Sequence, residues 1–528
     1  MPIPAENTEW PPKPWDEAYQ AYALNEAWQL GDTAALERLY TSDRQQQATH
    51  IRRGQAMRGG LVGAASLMFW GRPVPANENR TRIHVPAPAD LATLSSDLVF
   101  AEPPEVTLGA DGAKDEKAKA RLDLIANSEN AHATWNTMGE LKAALGATVI
   151  TTAWDTSVAD HVWLEVAAAD VIIPVFRRGV MVECTMWTEF REDRSQTVYR
   201  HLEHHEVGSI EHALYRGTEN NLGRRVPLQD RPETESLAVL VDADSRILTG
   251  IDRLTCSYNL NMPTRAWRKK GVLANTGRSD YAGLHPLFDA LDETFSSWMR
   301  DLRQGAGRIL VPDAMLDYLG PGMGASFDMG REVFAGLNTP GDPSKVALDK
   351  VQFDIRVEQH ERTAFAIYRE ILRAAGYSQS AWGDYSGGGQ GGTQTATEVD
   401  DRNKASERTR DKKILYDKSA ISRQASVALE LDGRLFPGKG GGRFEQPTVI
   451  FPDVSQEDPE KLARTLSLLD AAGAISTWEK VARANPDWGE DEIKTEVTRI
   501  RQDKGTAVDP TTFDGTDPAV DPTDTEVA

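Results

Sequence analysis

Apolar residues recur every three or four positions through "EAYQAYALNEAWQL", which predicts helical structure over residues 15–41 with a break at Leu30-Gly31-Asp32. "ADLATLSSDLVF" repeats the pattern as a short helix, and the prolines after His84-Val85 argue against a regular element just before it. Residues 116–145 are also helical in period. From Ala147 to Tyr258 the pattern changes to strands: "ATVITTAWD", "HVWLEVAAADVIIPVF", "GVMVECTMWTEF", "QTVYRHLEHHEVGSIEHALYRG" and "LAVLVDA". β-branched and aromatic residues dominate these runs, with turn residues between them. Glu206-Val207-Gly208-Ser209 predicts a hairpin turn.

Beyond Tyr258 the helical period returns. Leu284, Leu287, Phe288, Leu291, Phe295, Trp298, Met299 and Leu302 form one apolar stripe, and Pro286 suits the first turn of that helix. Residues 305–353 are rich in Gly and Pro and predict no long helix. "IRVEQHERTAFAIYREILRAAG" is a second amphipathic helix ending at Gly376. A glycine-rich loop follows, then a long helix from about Thr397 to Leu431. Thr395 and Glu398 have capping-box spacing, and Glu398–Arg402 and Asp400–Lys404 are i,i+4 pairs. The dense charge from Lys404 to Lys418 says that this helix is not simply core. "PGKGGGRF" breaks it, "QPTVIFPD" reads as a strand, and two or three helices close the ordered pattern. The tail from 503 is Asp, Thr and Pro and is expected to be disordered.

Length and charge narrow the function. The chain has 528 residues, enough for several domains. It carries 80 Asp+Glu against 59 Lys+Arg, a net charge of −21, so a general basic field for nucleic acid is excluded. Two cysteines, Cys184 and Cys256, make neither a disulfide framework nor a zinc knuckle and fit a reducing compartment. No signal peptide and no apolar run of membrane-spanning length stand out.

Candidate chemistry is sparse. "DYSGGGQGGTQTATEVDDRNK" places glycines before a helix, an arrangement that often cradles phosphate. A Walker loop, however, needs Gly-Lys-Ser/Thr at its end, and here Thr393-Gln394 follows Gly392. A helix rather than a strand precedes it, no Lys or Arg lies within it, and Glu398, Asp400 and Asp401 would repel phosphate. "GPGMGA" at Gly320 and "GKGGG" at Gly438 also miss the spacing. His201, His204 and His205, with His212 nearby, invite a metal-site reading, since His201, Glu203 and His205 share one face of a strand. A hairpin with surface histidines is the plainer reading and the preferred one. Asp289, Asp292 and Glu293 fall on the polar side of the striped helix, which suits a solvated face or a subunit contact better than acid–base catalysis. No Gly-x-Ser-x-Gly elbow sits in a fitting context. The residues therefore predict no catalytic group, no metal and no cofactor, and an assembly component rather than an enzyme.

Several strings in fixed order resemble the portal proteins of tailed bacteriophages, those of actinobacterial phages most of all. They are "FWGRPVP", "RIHVPAPADLATLSSDLVFAEPPEV", "VYRHLEHHEVGSIEHALYRG", "HPLFDALDETFSSWMRDLRQGAGRILVP", "GGTQTATEVDDRNKASERTRDKK" and "PDVSQEDPEKLARTLSLLDAAGAIS", spread over residues 69–476. The resemblance implies an α+β portal fold assembled as a ring of about twelve subunits at one capsid vertex. It implies a mixed α/β wing (1–283), a first stem helix (284–305), a clip (306–353) and a second stem helix (354–376). A tunnel loop (377–395), a long kinked wing helix (396–432), a wing strand with a helical crown (433–502) and a disordered acidic tail (503–528) would follow. Leu287, Leu291 and Trp298 would pack the stem. Met315, Leu316 and Phe334 would give the clip an apolar docking surface.

The implied partners are further copies of the chain, double-stranded DNA in the channel, the terminase large subunit, a head–tail connector or adaptor, and the major capsid and scaffolding proteins. No membrane is involved, and the implied location is the virion's portal vertex after assembly in the host cytoplasm. The tunnel loop would carry Trp382, Tyr385, Gly387, Gly388, Gly389, Gln390, Gly391, Gly392 and Gln394 toward DNA. A loop without basic residues would touch a polyanion without gripping it, because each phosphate neutralised by Lys or Arg tightens binding. Two alternatives stay open on the residues. One is another structural head protein of the capsid-shell type, and the other is a metal-dependent hydrolase using His201, His204 and His205.

Overall fold

The computed structural model describes residues 3–40, 82–109, 112, 114–192, 195–304, 308–310, 317–318, 325–326, 349–351, 356–379, 396–452, 459–485 and 488–506. Residues 1–452 form one compact unit and 453–528 a second. In the first unit, α1 (Asp16–Leu30) stops at Gly31, whose φ of 66° is left-handed. Residues 33–40 resume the helix, with the Asp32 carboxylate accepting from the N–H groups of Ala34 and Ala35 at 3.0 and 2.9 Å. Helices α2 (Ala87–Phe100), α3 (Glu116–Ala126) and α4 (Glu129–Leu145) follow. Asp115 caps α3 and Ser128 caps α4 through their side-chain oxygens.

The strand-rich block forms two sheets. β2 (Ala147–Ala153), β3 (Trp163–Ala168) and β10 (Cys256–Leu260) make an antiparallel sheet in the order β10-β2-β3. β4 (Ile172–Arg177), β5 (Val180–Arg191), β6 (Val198–Glu206), β7 (Ser209–Thr218) and β8 (Asn221–Val226) pair in sequence order, and β9 (Arg246–Leu248) also pairs with β7. The turn expected at 206–209 is there: Glu206 faces Ser209 and Gly208 has φ 89°. The outer edge of β8 is covered by residues 7–10. Asn7 N–H donates to Gly223 O (2.7 Å), Leu222 N–H to Thr8 O (2.9 Å) and Trp10 N–H to Asn220 O (3.0 Å). β1 (Glu105–Thr107) pairs with β15 (Thr448–Ile450), joining distant parts of the chain.

Two helices with apolar stripes, α5 (His285–Gln304) and α6 (Val357–Ala375), flank the segment expected as the clip. Within that segment, β11 (Arg308–Leu310) pairs with β14 (Asp349–Val351), and β12 (Asp317–Tyr318) with β13 (Ala325–Ser326), all antiparallel. The long helix α7 runs Ala396–Leu435. The second unit holds α8 (Pro459–Ala471), α9 (Thr477–Ala484) and α10 (Glu490–Thr506), with Val481, Ile493 and Val497 as its small core. α10 runs past the boundary expected at 503, and residues 507–528 lie outside the described residues.

α7 is the hub of the first unit. Ile414, Ile421, Ala425, Ala428, Leu429 and Leu431 bury one face against Leu122, Ile125, Trp135, Met138, Ile150 and Leu164. Charges are interleaved in that buried face, and each has a partner. Lys413 Nζ meets Asp280 Oδ2 at 2.6 Å, and the Tyr377 hydroxyl, 2.9 Å from Nζ, donates to the same carboxylate. Asp417 pairs with Lys142 and accepts from Asn259 Nδ2 at 2.7 Å. Asp432 receives Arg121 through Nε (2.6 Å) and Nη2 (2.9 Å), plus the Val162 N–H (3.2 Å). Burial pushes Lys142 below its ordinary range, and Asp417 opposes that shift.

These pairs generate a prediction. Asp417→Ala strands the buried Lys142 ammonium and is expected to cost about 3–5 kcal/mol. Asp417→Leu with Lys142→Met removes both charges and should recover most of the loss. Urea titration followed by tryptophan fluorescence checks both; a single variant as stable as wild type would show that the pair does not seat α7.

Candidate functional site

The apolar stripes of α5 and α6 meet each other. Leu284, Phe288 and Leu291 of the α5 end are buried with Ala364, Ile371 and Leu372 of α6, and Leu287, Phe295 and Tyr368 pack partly buried beside them. The helices run antiparallel, because the far end of α5 contacts the start of α6. Asp301 accepts from Arg356 Nη2 (2.8 Å) and lies 3.0 Å from His360 Nε2, and the Trp298 ring stacks on His360 at 6.1 Å and 7°. Of the expected packing residues, Leu291 is fully buried, while Leu287 and Trp298 are partly so. Met299 and Leu302 at the end of the stripe are exposed.

The acids of α5 are not on a solvated face, which corrects the expectation from the pattern. Asp289 is 4% exposed and Asp292 1%; only Glu293 stays partly open. The Tyr40 hydroxyl donates to Asp289 at 3.2 Å. Asp292 takes the Val85 N–H at 2.9 Å and faces His84 Nδ1 at 3.0 Å, and Ile83 N–H donates to Ser296 Oγ at 3.0 Å. Burial raises Asp292, with His84 and the Val85 N–H pulling the other way. Helix α5 is thus latched through Asp289, Asp292 and Ser296 to residues 40 and 83–85. In sequence those partners lie over 200 residues away, so a helical period alone places the acids on the wrong side.

The start of the glycine-rich loop is seated on α7. Gly376 closes α6 with φ 93°, and a Cβ there would lie 2.8 Å from Thr409 Oγ1. Thr409 Oγ1 donates to Gly376 O (2.6 Å), Ser378 N–H donates to Ser406 Oγ (2.8 Å), and Tyr377 joins the Lys413–Asp280 pair. Burial lifts the Tyr377 phenol far above its ordinary range, with the Asp280 charge adding to it. The chain therefore leaves from beside Ser406 and re-enters at Ala396, ten positions or about 15 Å back along the helix axis. Trp382, Tyr385, Gly387–Gly392 and Gln394, like Met315, Leu316 and Phe334, lie outside the described residues.

The histidines are buried rather than on the surface, a second correction. His204 and His205 are 0% and 1% exposed, and His201 and His212 are nearly as enclosed. β6 is an interior strand between β5 and β7, and His205 is also met by Thr255 from outside that sheet. Each ring is held by neighbours. His201 Nε2 meets His212 Nδ1 at 3.2 Å with the rings parallel, His204 Nδ1 meets Thr185 Oγ1 at 2.8 Å, and His205 Nδ1 meets Thr255 Oγ1 at 2.6 Å. Glu203 and His212 are directly opposite in the ladder. Among the described residues no group of three or more His, Cys, Asp or Glu has the geometry to hold a metal ion. No described helix is long and apolar enough to cross a membrane.

The profile of the family described as phage portal protein, SPP1 Gp6-like, matches residues 29–509. Among solved structures, a chain in the neck of an empty gene transfer agent (GTA) particle, computed with C6 symmetry, is similar at 14% identity and a TM-score of 0.38. That match covers 81% of this chain and 95% of the other. A chain in the virion of a native GTA particle is similar at 14% identity and a TM-score of 0.39, covering 80% and 98%. No curated protein matches the chain.

The buried histidines set a pH window. Burial lowers His201, His204 and His212, the last to about 4. Burial would raise Glu203, but His205, His212 and His201 outweigh it and hold the carboxyl low. For a base lowered in the fold, the unfolded chain binds protons first, at about pH 6.5. The stabilisation from neutral imidazoles is therefore complete above about pH 6.5 and lost as pH falls toward about 4. Melting temperature should drop over that window, and His201→Gln with His212→Gln should flatten the drop. An unchanged slope in the variant would mean that other groups carry the acid sensitivity.

Proposed function

The chain belongs to the phage portal protein family of the SPP1 Gp6-like type, and on that premise we propose that its copies close into a ring of about twelve subunits around a DNA channel at one capsid vertex. The family is a structural, non-enzymatic one, which sets the hydrolase alternative aside. The observation that carries the detailed reading is the antiparallel α5–α6 pair, with a strand-bearing segment between its ends and a loop seated on α7 just after it. In this reading α5 and α6 are the stem, residues 306–353 the clip and 377–395 the tunnel loop. Residues 1–283, α7 and β15 build the wing, and α8–α10 the crown.

A stem in a conduit has to resist bending while DNA moves past it. Latching α5 through buried Asp289 and Asp292 and tying α6 to α7 through Tyr377 supports such stiffness, since buried polar networks admit one arrangement. The tunnel loop needs the opposite property. Its sequence between Gln379 and Ala396 contains no Lys or Arg, so it adds no phosphate contacts that translocation must break. The clip, with Met315, Leu316 and Phe334, is the surface we assign to the terminase large subunit during packaging and to the head–tail connector afterwards. Capsid and scaffolding proteins would meet the wing. The particle's portal vertex is then the site of action, after assembly in the host cytoplasm.

Electron microscopy of the purified protein, alone and co-expressed with scaffold, should show rings with a central hole; monomers under every condition would sink the reading. Shortening "SGGGQGG" should leave ring formation intact, because each doubling of loop length changes closure by only about 0.6 kcal/mol. DNA packaging or retention should fall instead. Gln390→Arg with Gln394→Arg should slow translocation by adding phosphate contacts. Normal packaging and retention by the shortened loop would remove the tunnel-loop assignment.

A further inference from the structure

We propose that the outer face of α7 on one copy of this chain docks against the acidic excursion at residues 228–252 of the next copy. The inference rests on the ring reading above and names two surfaces that would meet.

The first surface is a basic ridge in an acidic chain. Lys404, Arg408, Lys412, Leu415 and Lys418 are exposed and recur three or four residues apart, so they share one face of α7. They extend for about 21 Å along the axis. Lys413, Asp417 and the buried Ile414, Ile421 and Ala425 point the other way, into the core. Among the described residues no ion pair engages Arg408, Lys412 or Lys418. Leu415 sits between Lys412 and Lys418, 69% exposed.

The second surface has the complementary make-up. Residues 228–252 contain six acids, Asp230, Glu233, Glu235, Asp242, Asp244 and Asp252, against two bases. Both bases are already engaged, Arg231 with Glu233 at 2.8 Å and Arg246 with Glu211 at 3.3 Å. Asp230, Glu235, Asp244 and Asp252 are exposed and in no ion pair among the described residues. Apolar side chains stand among them. Asp242 N–H donates to Arg246 O at 2.9 Å, which closes the 242–246 turn, and Thr249 N–H donates to Gly208 O at 3.0 Å, next to the turn residue Val207. Leu240, Leu248 and Val207 are 65%, 75% and 60% exposed.

A basic ridge carrying an exposed leucine thus has its counterpart in an acidic surface carrying exposed apolar side chains. Both are exposed within one chain, so neither covers the other there. The two differ, so their pairing is head-to-tail, the kind of contact that closes a ring. DNA is the rival polyanionic partner for the ridge. Exposed Leu415, and Asp411 beside it, suit a protein surface and oppose a phosphate backbone.

The test is charge reversal in the full chain, with rings counted by negative-stain microscopy and mass photometry. One variant carries Lys412→Glu and Lys418→Glu; another carries Glu235→Lys and Asp244→Lys. Each should cut the fraction of chains in rings by about tenfold or more, since facing like charges cost several kcal/mol. An equimolar mixture of the two should regain rings, because each variant's altered surface fits the other's. A chain with all four substitutions should regain them too. Matching far-UV circular dichroism melts establish that every variant folds. Rings undiminished by either reversal overturn this interface and leave the portal reading standing. Folded variants that neither the mixture nor the fourfold chain restores also overturn it. If the ridge variant keeps its rings and loses only retention of linear duplex DNA on filters, the ridge is a DNA contact and the proposal fails. No rings from wild type overturns the portal reading itself, and the interface with it.

Discussion

Everything in the larger unit depends on seating a forty-residue helix in one register, and buried charge pairs do that. Apolar contacts along α7 would tolerate a slide or a small rotation. Lys413 against Asp280, Asp417 against Lys142, and Asp432 against Arg121 would not, since any shift leaves an ammonium or carboxylate buried alone. Ion pairs of this kind add little net stability compared with hydrophobic packing, and their value here is placement. They run from Lys413 to Asp432, the C-terminal half of the helix, so the segments docked at either end of that stretch are positioned together. One end receives the loop's seat at Ser406 and Thr409. The other receives β15 and the chain's turn back through Gly442, whose N–H donates to Leu429 O at 2.9 Å.

The same solution recurs at smaller scale in α5. Its acids bind Tyr40, His84 and the backbone of Val85, so the helix that leads into residues 306–353 is fastened to a part of the chain far away in sequence. Through Tyr377 the partner helix joins the Lys413–Asp280 pair. A push on either helix is therefore transmitted to the body through hydrogen-bonded polar groups with fixed directions. Sliding apolar contacts would not transmit it in that way.

Much of this was legible in the residues, and the illegible part has one physical cause. The stripe from Leu284, the Gly376 stop, the 206–209 turn and the length of the long helix all follow from local period and turn chemistry. Burial of charge does not. Asp289 and Asp292 follow the helical spacing of polar residues and read as solvent-facing, because their partners lie 249 and 208 residues away. The histidines misled in the same way. A polar run on a strand reads as surface until its packing neighbours are placed, and here Thr185 and His212 on the flanking strands and Thr255 from outside the sheet meet the rings. Dense charge from Lys404 to Lys418 did say that the helix was unusual; its division into paired inner charges and open outer ones needed the fold.

The cover over β8 has a consequence for the time before assembly. A six-stranded sheet with a bare outer strand offers a row of unpaired backbone donors and acceptors to any extended chain. Residues 7–10 fill that row from within the same molecule. A protein that must accumulate before it can join a larger structure faces a kinetic choice between ordered growth and irreversible clumping. Closing the edge in cis blocks backbone-driven mispairing there and leaves side-chain surfaces, which recognise shape and charge, to decide which copies meet.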